Sequence, residues 1–168
     1  MVTMIPFAAD LLVLLRRDLR CFMREVALFP DDAALWATAP GIANSAGNLA
    51  LHVAGNLRHF VGVALGGTSY VRQRELEFTQ RAGTRAEVIA ELEAAAIDME
   101  AGLEALSMAS LTKPFPVAVG GHQPATGRLL LHLATHLAFH LGQAGYLRRA
   151  LTGVGGHTDG MSIAELLP

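Results

Sequence analysis

Hydrophobic residues recur at helical spacing in four separate stretches of the chain. The first stretch runs from about residue 7 to residue 28, and Pro30 follows its end. Spacing of three and four residues places its apolar positions on one face of a helix. These positions are Phe7, Leu11, Leu14, Leu15, Leu19, Phe22 and Val26. The pattern predicts a first long helix, followed by a short helical turn at residues 33–36.

The second stretch has clear start and stop signals. Ser45 is predicted to be the N-cap of a second helix, because serine accepts a hydrogen bond from the first turn. The helix is expected to run to about Leu65. Gly66 and Gly67 follow, and glycine commonly ends a helix at this position.

Two further helices are predicted in the second half of the chain. Thr84 and Glu87 form a capping-box pattern ahead of an apolar stripe that continues to about Leu106. Thr126 is predicted to cap a fourth helix, which ends near Gly153. Its apolar and histidine positions again recur at intervals of three and four.

Four amphipathic segments of about 20 residues predict an all-α fold, and a four-helix bundle is its most economical architecture. A length of 168 residues suits a single domain over residues 1–168 with one core. The connections at 68–83 and 108–125 are long for a compact domain. Loops of this length are usually functional or contain minor structure, so the second is interpreted as a loop or a short hairpin.

Composition limits the partners of the chain. Hydrophobic residues make up 52% of the sequence and the mean hydropathy is +0.37, which raises the question of a membrane. No uninterrupted apolar run reaches the roughly 18 residues needed to span a bilayer, so we expect a well-filled core and no membrane contact. The net charge of −2 argues against nucleic acid, which requires a basic surface.

The single cysteine limits the kinds of covalent and metal sites, and the start of the chain bears on the location of the protein. Cys21 alone excludes an intrachain disulfide and any metal site built on several cysteines. The first twenty residues have no basic region ahead of their apolar part and no small-residue cleavage site. They are interpreted as the start of the first helix and not as a signal peptide, and the expected location is the cytoplasm.

Three histidines share one face of the predicted fourth helix. His132, His136 and His140 are spaced by four residues, which places neighbouring pairs about 6 Å apart along the helix axis. Apolar residues are expected around this face, so the histidines should point inward or into a cleft. These residues are Leu129, Leu133, Phe139 and Leu147.

An inward cluster of imidazoles needs a partner. Protonated rings would repel one another, and neutral rings still need hydrogen bonds, whereas a bound cation satisfies both requirements. Two histidines at i and i+4 can bind one metal ion, with a third ligand from another element. The second helix offers a polar stripe for this purpose: Asn48, His52, Asn56 and His59.

Spacing alone leaves the ligand set open. Either pair on the fourth helix fits, and either histidine of the second helix could complete the site. The ordinary alternative is that a buried histidine is only hydrogen-bonded to its surroundings. His122 and His157 lie in glycine-rich loops and are interpreted as ordinary loop residues.

Three motifs resemble one known family. Residues 44–56, NSAGNLALHVAGN, resemble the second helix of the DinB-like family of metal-binding four-helix bundles. The YxRxRxxEF pattern at residues 70–78 resembles the segment after that helix in one branch of the family. The HxxxHLGQ pattern at residues 136–143 resembles its signature end, and the resemblance extends from about residue 8 to residue 153.

The resemblance implies a metal site on His52, His136 and His140, in preference to His59 and to the pair formed by His132 and His136. It leaves open whether His59 or His132 contributes. The metal in such proteins is typically zinc or nickel, and the family implies a homodimer. Related members are thiol-dependent transferases or isomerases that use a low-molecular-weight thiol, and many members have no assigned activity.

A three-histidine site keeps coordination positions for water or a small-molecule substrate. The absence of Asp and Glu between Gly41 and Leu65 favours such an open site. The chain is therefore interpreted as a metal-dependent enzyme acting in hydrolysis or in thiol-dependent transfer. The alternatives are a non-catalytic metal-binding or stress-response bundle, and a bundle without metal whose histidines are satisfied internally.

Further residues are predicted around the site. Three amides are placed to orient the ligands or a substrate: Asn48, Asn56 and Gln143. The segment with Arg72 and Arg74 is predicted to bind an anionic group of a substrate or to close over the site. The alternative is a solvated loop in which these arginines pair with Glu75 and Glu77.

Overall fold

The helices begin and end close to the positions that the sequence predicts. The computed structural model describes residues 4–156, 158–160 and 162–167. A π-helix, Leu57–Val63, continues the third helix, and short 3₁₀ turns lie at Met108–Ser110 and Ala164–Leu166. The α-helices are α1 (Pro6–Ala27), α2 (Asp32–Leu35), α3 (Ala46–Asn56), α4 (Arg74–Thr79), α5 (Arg85–Glu104) and α6 (Thr126–Thr152). The described residues form no β-strand, which confirms the all-α fold.

The long helices pack as a bundle. Helix α1 contacts α5 and α6, and α3 with its π extension contacts the same two helices. Helices α1 and α3 therefore occupy opposite corners, and α3 lies directly beside α6. This arrangement places the histidine-bearing faces of α3 and α6 next to each other.

The helix caps follow the predicted chemistry in two places out of three. The Ser45 hydroxyl accepts from the Asn48 backbone N–H at 3.1 Å, which confirms the cap of α3. Thr84 and Glu87 form the predicted capping box of α5. The prediction for Thr126 was wrong, because Ala125 is the N-cap of α6 and Thr126 is its first residue.

The second predicted helix is not regular over its whole length. Its last part is the π-helix at Leu57–Val63. This conformation is rare in proteins overall, and where it occurs it often lies near a functional site. Helix α5 lies very close to this part, since a Cβ atom on Gly102 would come within 2.1 Å of the Val61 carbonyl oxygen. The glycine therefore permits a backbone-to-backbone approach that a larger residue would prevent.

Both long connections contain minor structure. The first contains α4, which is tied to α3 because the Asn48 amide donates to the backbone carbonyls of Glu77 and Gln80 at 2.9 and 3.0 Å. The second contains two isolated antiparallel bridges, between Val119 and His122 and between Pro114 and Ala125. The second connection is thus a short hairpin-like loop, as one of the two interpretations predicted.

The apolar residues lie mainly inside the bundle. Phe22, Met99 and Leu130 are fully buried, and so is Cys21 of α1. Phe139 is an exception, because 61% of it is exposed, although its ring centroid lies 5.3 Å from that of His140, beside the histidine face as expected. Within the described part of the chain, no helix is both long and apolar enough to cross a membrane.

Candidate metal centre

Helices α3 and α6 bring three histidines to one point. The Nε2 atom of His136 lies 3.3 Å from His52 Nε2 and 3.0 Å from His140 Nε2. The candidate ligand atoms of the three residues all lie within 4.8 Å of one another. Two residues come from one turn of α6 and the third comes from the facing turn of α3.

The outer nitrogens of two of these rings are held by hydrogen bonds. His52 Nδ1 lies 2.9 Å from Glu77 Oε2, and His140 Nδ1 lies 2.8 Å from Gln143 Oε1. Because these oxygens accept, the protons of the neutral rings lie on Nδ1 and the lone pairs lie on Nε2. Such outer partners are the usual means by which proteins orient histidine ligands of a metal.

The geometry fits a divalent transition metal ion. Two nitrogens bound to one zinc ion at about 2.0–2.1 Å in tetrahedral geometry lie about 3.3 Å apart, close to the spacings between His136 and its two neighbours. Without a metal ion, the single proton that His136 Nε2 can carry would satisfy only one of its two contacts, with His52 Nε2 or with His140 Nε2. Asn56 Nδ2 lies 3.0 Å from His52 Nε2, so this amide donates a hydrogen bond on the inner side of the His52 ring. Three imidazole nitrogens are a donor set that suits zinc and nickel.

Glu77 is fully engaged on the outer side of His52. Arg72 donates to both of its oxygens, with Nε and Nη2 each at 2.7 Å. Burial alone would raise the pKa of Glu77, but the hydrogen bonds from Arg72 and His52 outweigh it and lower that pKa. A Cβ atom on Gly55 would lie 2.1 Å from Glu77 Oε1, so a glycine is needed for the carboxylate to reach α3.

The surroundings of His136 and His140 favour the neutral form of both rings. Burial, reinforced by the neighbouring His140 and His52, lowers the pKa of His136 to about 4. Burial also lowers the pKa of His140, although its hydrogen bond with Gln143 opposes that shift. At neutral pH the rings therefore have unprotonated nitrogens available, which is the state in which histidine binds metal.

The remaining predicted residues lie at different distances from the cluster. Asn48 is buried away from the histidines and anchors α4 instead. His132 is exposed, with its ring centroid 5.9 Å from that of His136. Neither His132 nor His59 belongs to the three-residue group found within the described ranges. His122 is exposed, and His157 lies outside the described residues.

A cavity of about 600 Å³ opens beside the histidines. This volume lies within the range of small-molecule sites. The α3–π segment, the segment before α4, the 118–120 loop and α6 all contribute to it. Its lining residues are His52, Asn56, His59, Phe60, Arg72, Arg74, Ala118, Val119, Gly120, Leu129, His132, Leu133 and His136. The cavity therefore gives a small molecule access to two of the three clustered rings.

Comparison with known proteins agrees with this architecture. A family model described as the DinB superfamily matches residues 12–144 of the chain. The chain belongs to the DinB superfamily. No curated protein and no solved structure matches it significantly. The match spans α3, α4 and the histidine pair of α6, so all three clustered histidines of this DinB superfamily protein lie inside it.

Sequence reasoning missed the contribution of Glu77. The residue was considered only as a salt-bridge partner in a solvated loop, yet it is 5% exposed and joins Arg72 to His52. The ion pair with Arg72 was foreseen as an alternative, but its burial and its contact with a histidine were not. The available signal was the position of Glu77 within the YxRxRxxEF pattern.

Proposed function

We propose that this DinB superfamily protein is a metal-dependent enzyme with one divalent ion, zinc or nickel, on His52, His136 and His140. The reaction is hydrolysis or thiol-dependent transfer on a small-molecule substrate. One observation supports the proposal above all: three Nε2 atoms converge at the edge of a cavity of about 600 Å³. A bound divalent ion would lower the pKa of a water molecule or a thiol that it coordinates.

Hydrogen bonds within the chain orient the candidate metal ligands. Glu77 and Gln143 fix the ring orientation of His52 and His140 through their Nδ1 protons. Arg72 keeps Glu77 ionised, so that the carboxylate remains an acceptor for His52. Asn56 reaches the inner side of His52 and also lines the cavity, where its amide can hydrogen-bond a substrate.

The position of Glu77 favours catalysis over the binding-only alternative. Its two oxygens are engaged by Arg72 and by the outer nitrogen of His52. The carboxylate thus acts through His52, and the cluster itself consists of three histidine nitrogens. Sites with three protein ligands keep a coordination position for water or substrate, whereas structural zinc sites use four.

Metal analysis of the purified protein tests the first part of the proposal. The wild type should hold about one equivalent of zinc or nickel, and His136→Ala should lose it. His122→Ala is the matched control, because His122 is exposed and lies outside the cluster. Less than one equivalent in the wild type, unchanged in His136→Ala, would contradict the metal site.

A substrate screen tests the second part. Metal-loaded and chelator-treated protein would be assayed with small thiols plus electrophiles, and separately with hydrolysable esters and amides. Turnover that requires both metal and thiol supports transfer, and turnover that requires metal alone supports hydrolysis. Full metal occupancy without turnover in either set would favour the non-catalytic alternative.

The homodimer stays a prediction. Helix α6 exposes three large apolar side chains, Leu131, Phe139 and Tyr146, at 54%, 61% and 78%. Their spacing of eight and seven residues places them on one side of α6, and a contiguous exposed apolar patch can mark a surface that contacts another protein. Light scattering on the purified protein would measure its mass in solution.

A further inference from the structure

The ionisable side chains found in the lining of the cavity beside the histidines are all basic. Two arginines and four histidines line it: Arg72, Arg74, His52, His59, His132 and His136. Among the described residues, none of those that line it has a carboxylate side chain. Arg72 is held by Glu77, which compensates its charge. The arginine left to interact with a ligand is therefore Arg74.

Arg74 is held close to the histidine cluster by an aromatic contact. Its guanidinium carbon lies 5.3 Å from the centre of the Phe78 ring, and that ring lies 4.7 Å from the His52 ring. A guanidinium over an aromatic face is attracted by the ring and keeps its N–H groups available. None of the ion pairs found in the described part of the chain includes Arg74.

The two arginines of this segment thus have different tasks, although they are only two residues apart. Arg72 is a positioning residue, because it acts on His52 through Glu77. Arg74 lines the same cavity and belongs to none of the ion pairs found among the described residues. Planar guanidinium groups bind carboxylates through two parallel hydrogen bonds, which supplies both affinity and orientation.

We propose that the substrate is a small organic carboxylate whose anionic group binds Arg74, while its reacting end lies at His52 and His136. This inference rests on the proposed function, since it names the substrate class of that same site. The cavity size of about 600 Å³ accommodates a small molecule that contacts both ends.

Binding measurements with a simple probe test the proposal. Benzoate, its neutral analogue benzamide and inorganic phosphate would be titrated into zinc-loaded protein, with dissociation constants measured by NMR. Benzoate should bind more tightly than benzamide, and Arg74→Gln should weaken benzoate binding at least about tenfold while benzamide is unaffected. Arg74→Lys, which keeps the charge, should retain part of the affinity. Tighter binding of phosphate than of benzoate would identify a phosphorylated substrate and overturn the carboxylate assignment.

Arg128→Gln is the matched control, because Arg128 is exposed and is not part of the cavity lining. Its benzoate affinity should equal that of the wild type. The proposal is overturned if benzoate binds no better than benzamide. It is also overturned if Arg74→Gln binds benzoate as the wild type does while removal of zinc abolishes binding, because the carboxylate would then be a metal ligand.

Metal content and thermal stability of each variant separate this proposal from the one on which it rests. Arg74→Gln should keep its zinc, since the ring on which Arg74 stacks is Phe78 and not a clustered histidine, and the loss of that contact should lower its melting temperature only slightly. A protein that binds zinc and turns over neutral substrates, with no effect of Arg74→Gln, would contradict the carboxylate alone. A protein that binds benzoate through Arg74 but holds no metal would contradict the metal-dependent function alone.

Discussion

Two buried carboxylates of this protein have the same local chemistry and different consequences. Glu77 and Glu25 are 5% and 3% exposed, and each accepts hydrogen bonds from an arginine. Each also lies against a helical glycine, where a Cβ atom would come within 2.1 Å of Glu77 or 2.9 Å of Glu25. These shared features show that a buried Glu–Arg pair beside a glycine is not by itself a sign of a functional site.

The two carboxylates differ in their other hydrogen-bond partners. The second partner of Glu77 is the His52 ring, whose other nitrogen faces the cluster. Glu25 instead accepts from the Thr158 hydroxyl at 3.0 Å, and its arginine, Arg148, donates to the Val154 and Gly155 carbonyls. The Glu25 network therefore fastens the segment after α6 to α1, whereas the Glu77 network orients a candidate metal ligand.

Removal of Arg148, the buried arginine of the Glu25 network, should cause the largest loss of stability. Arg148→Met removes the buried partner of the Glu25 carboxylate and leaves only Arg149, at 3.6 Å and half exposed, so it should cost about 3 kcal/mol of unfolding free energy. Denaturant unfolding measures this loss, and the folded fraction should keep the metal content of the wild type. Thr158→Val removes a single hydroxyl and should cost only about 1 kcal/mol. A loss of metal in Arg148→Met without any loss of stability would reverse the roles assigned to the two networks.

The two glycines offer a matched pair of substitutions. In Gly55→Ala the new Cβ atom displaces Glu77 from His52, so metal affinity should fall about 10- to 100-fold, as expected when an outer partner is lost. In Gly145→Ala the new atom meets Glu25, and metal affinity should be unchanged. Competition with a chromophoric chelator measures both constants. Equal affinities in the two variants would show that Glu77 does not support the metal site.

The effect of pH on stability should come from the histidine side of the comparison. The pKa of His136 is lowered to about 4 by burial, whereas an unfolded histidine titrates near its ordinary value. Between those values the unfolded chain binds more protons than the folded chain. The unfolding free energy of chelator-treated protein should therefore fall as the pH drops from 7 towards 4.

Denaturant unfolding at several pH values would measure that slope. In His136→Ala the slope should be reduced but not abolished, because His140, whose pKa is also lowered by burial, remains. His122→Ala is the control, since His122 is exposed. An unchanged slope in His136→Ala would show that another group causes the loss of stability in acid.

Periodicity predicted much of the fold because it is a local property of the chain. The spacing of apolar residues identified the four long helices, and the capping boxes at Ser45 and Thr84 are formed by residues only three apart. The N-cap of α6 was wrongly assigned to Thr126, whose hydroxyl donates to the Lys113 carbonyl, thirteen residues away. The π-helix and the exposure of Phe139 also depend on neighbours that a local pattern does not include.

The sequence alone is enough to place His136 and His140 on one face of a helix, because a spacing of four residues fixes that geometry. It also offered His52 as a partner, which the family resemblance then selected. Tertiary packing brings His52 to His136 across 84 residues of chain. The same packing places Glu77, 25 residues from His52, at the outer nitrogen of that ring. Contacts of this range depend on how the helices pack, and no repeat in the chain encodes them.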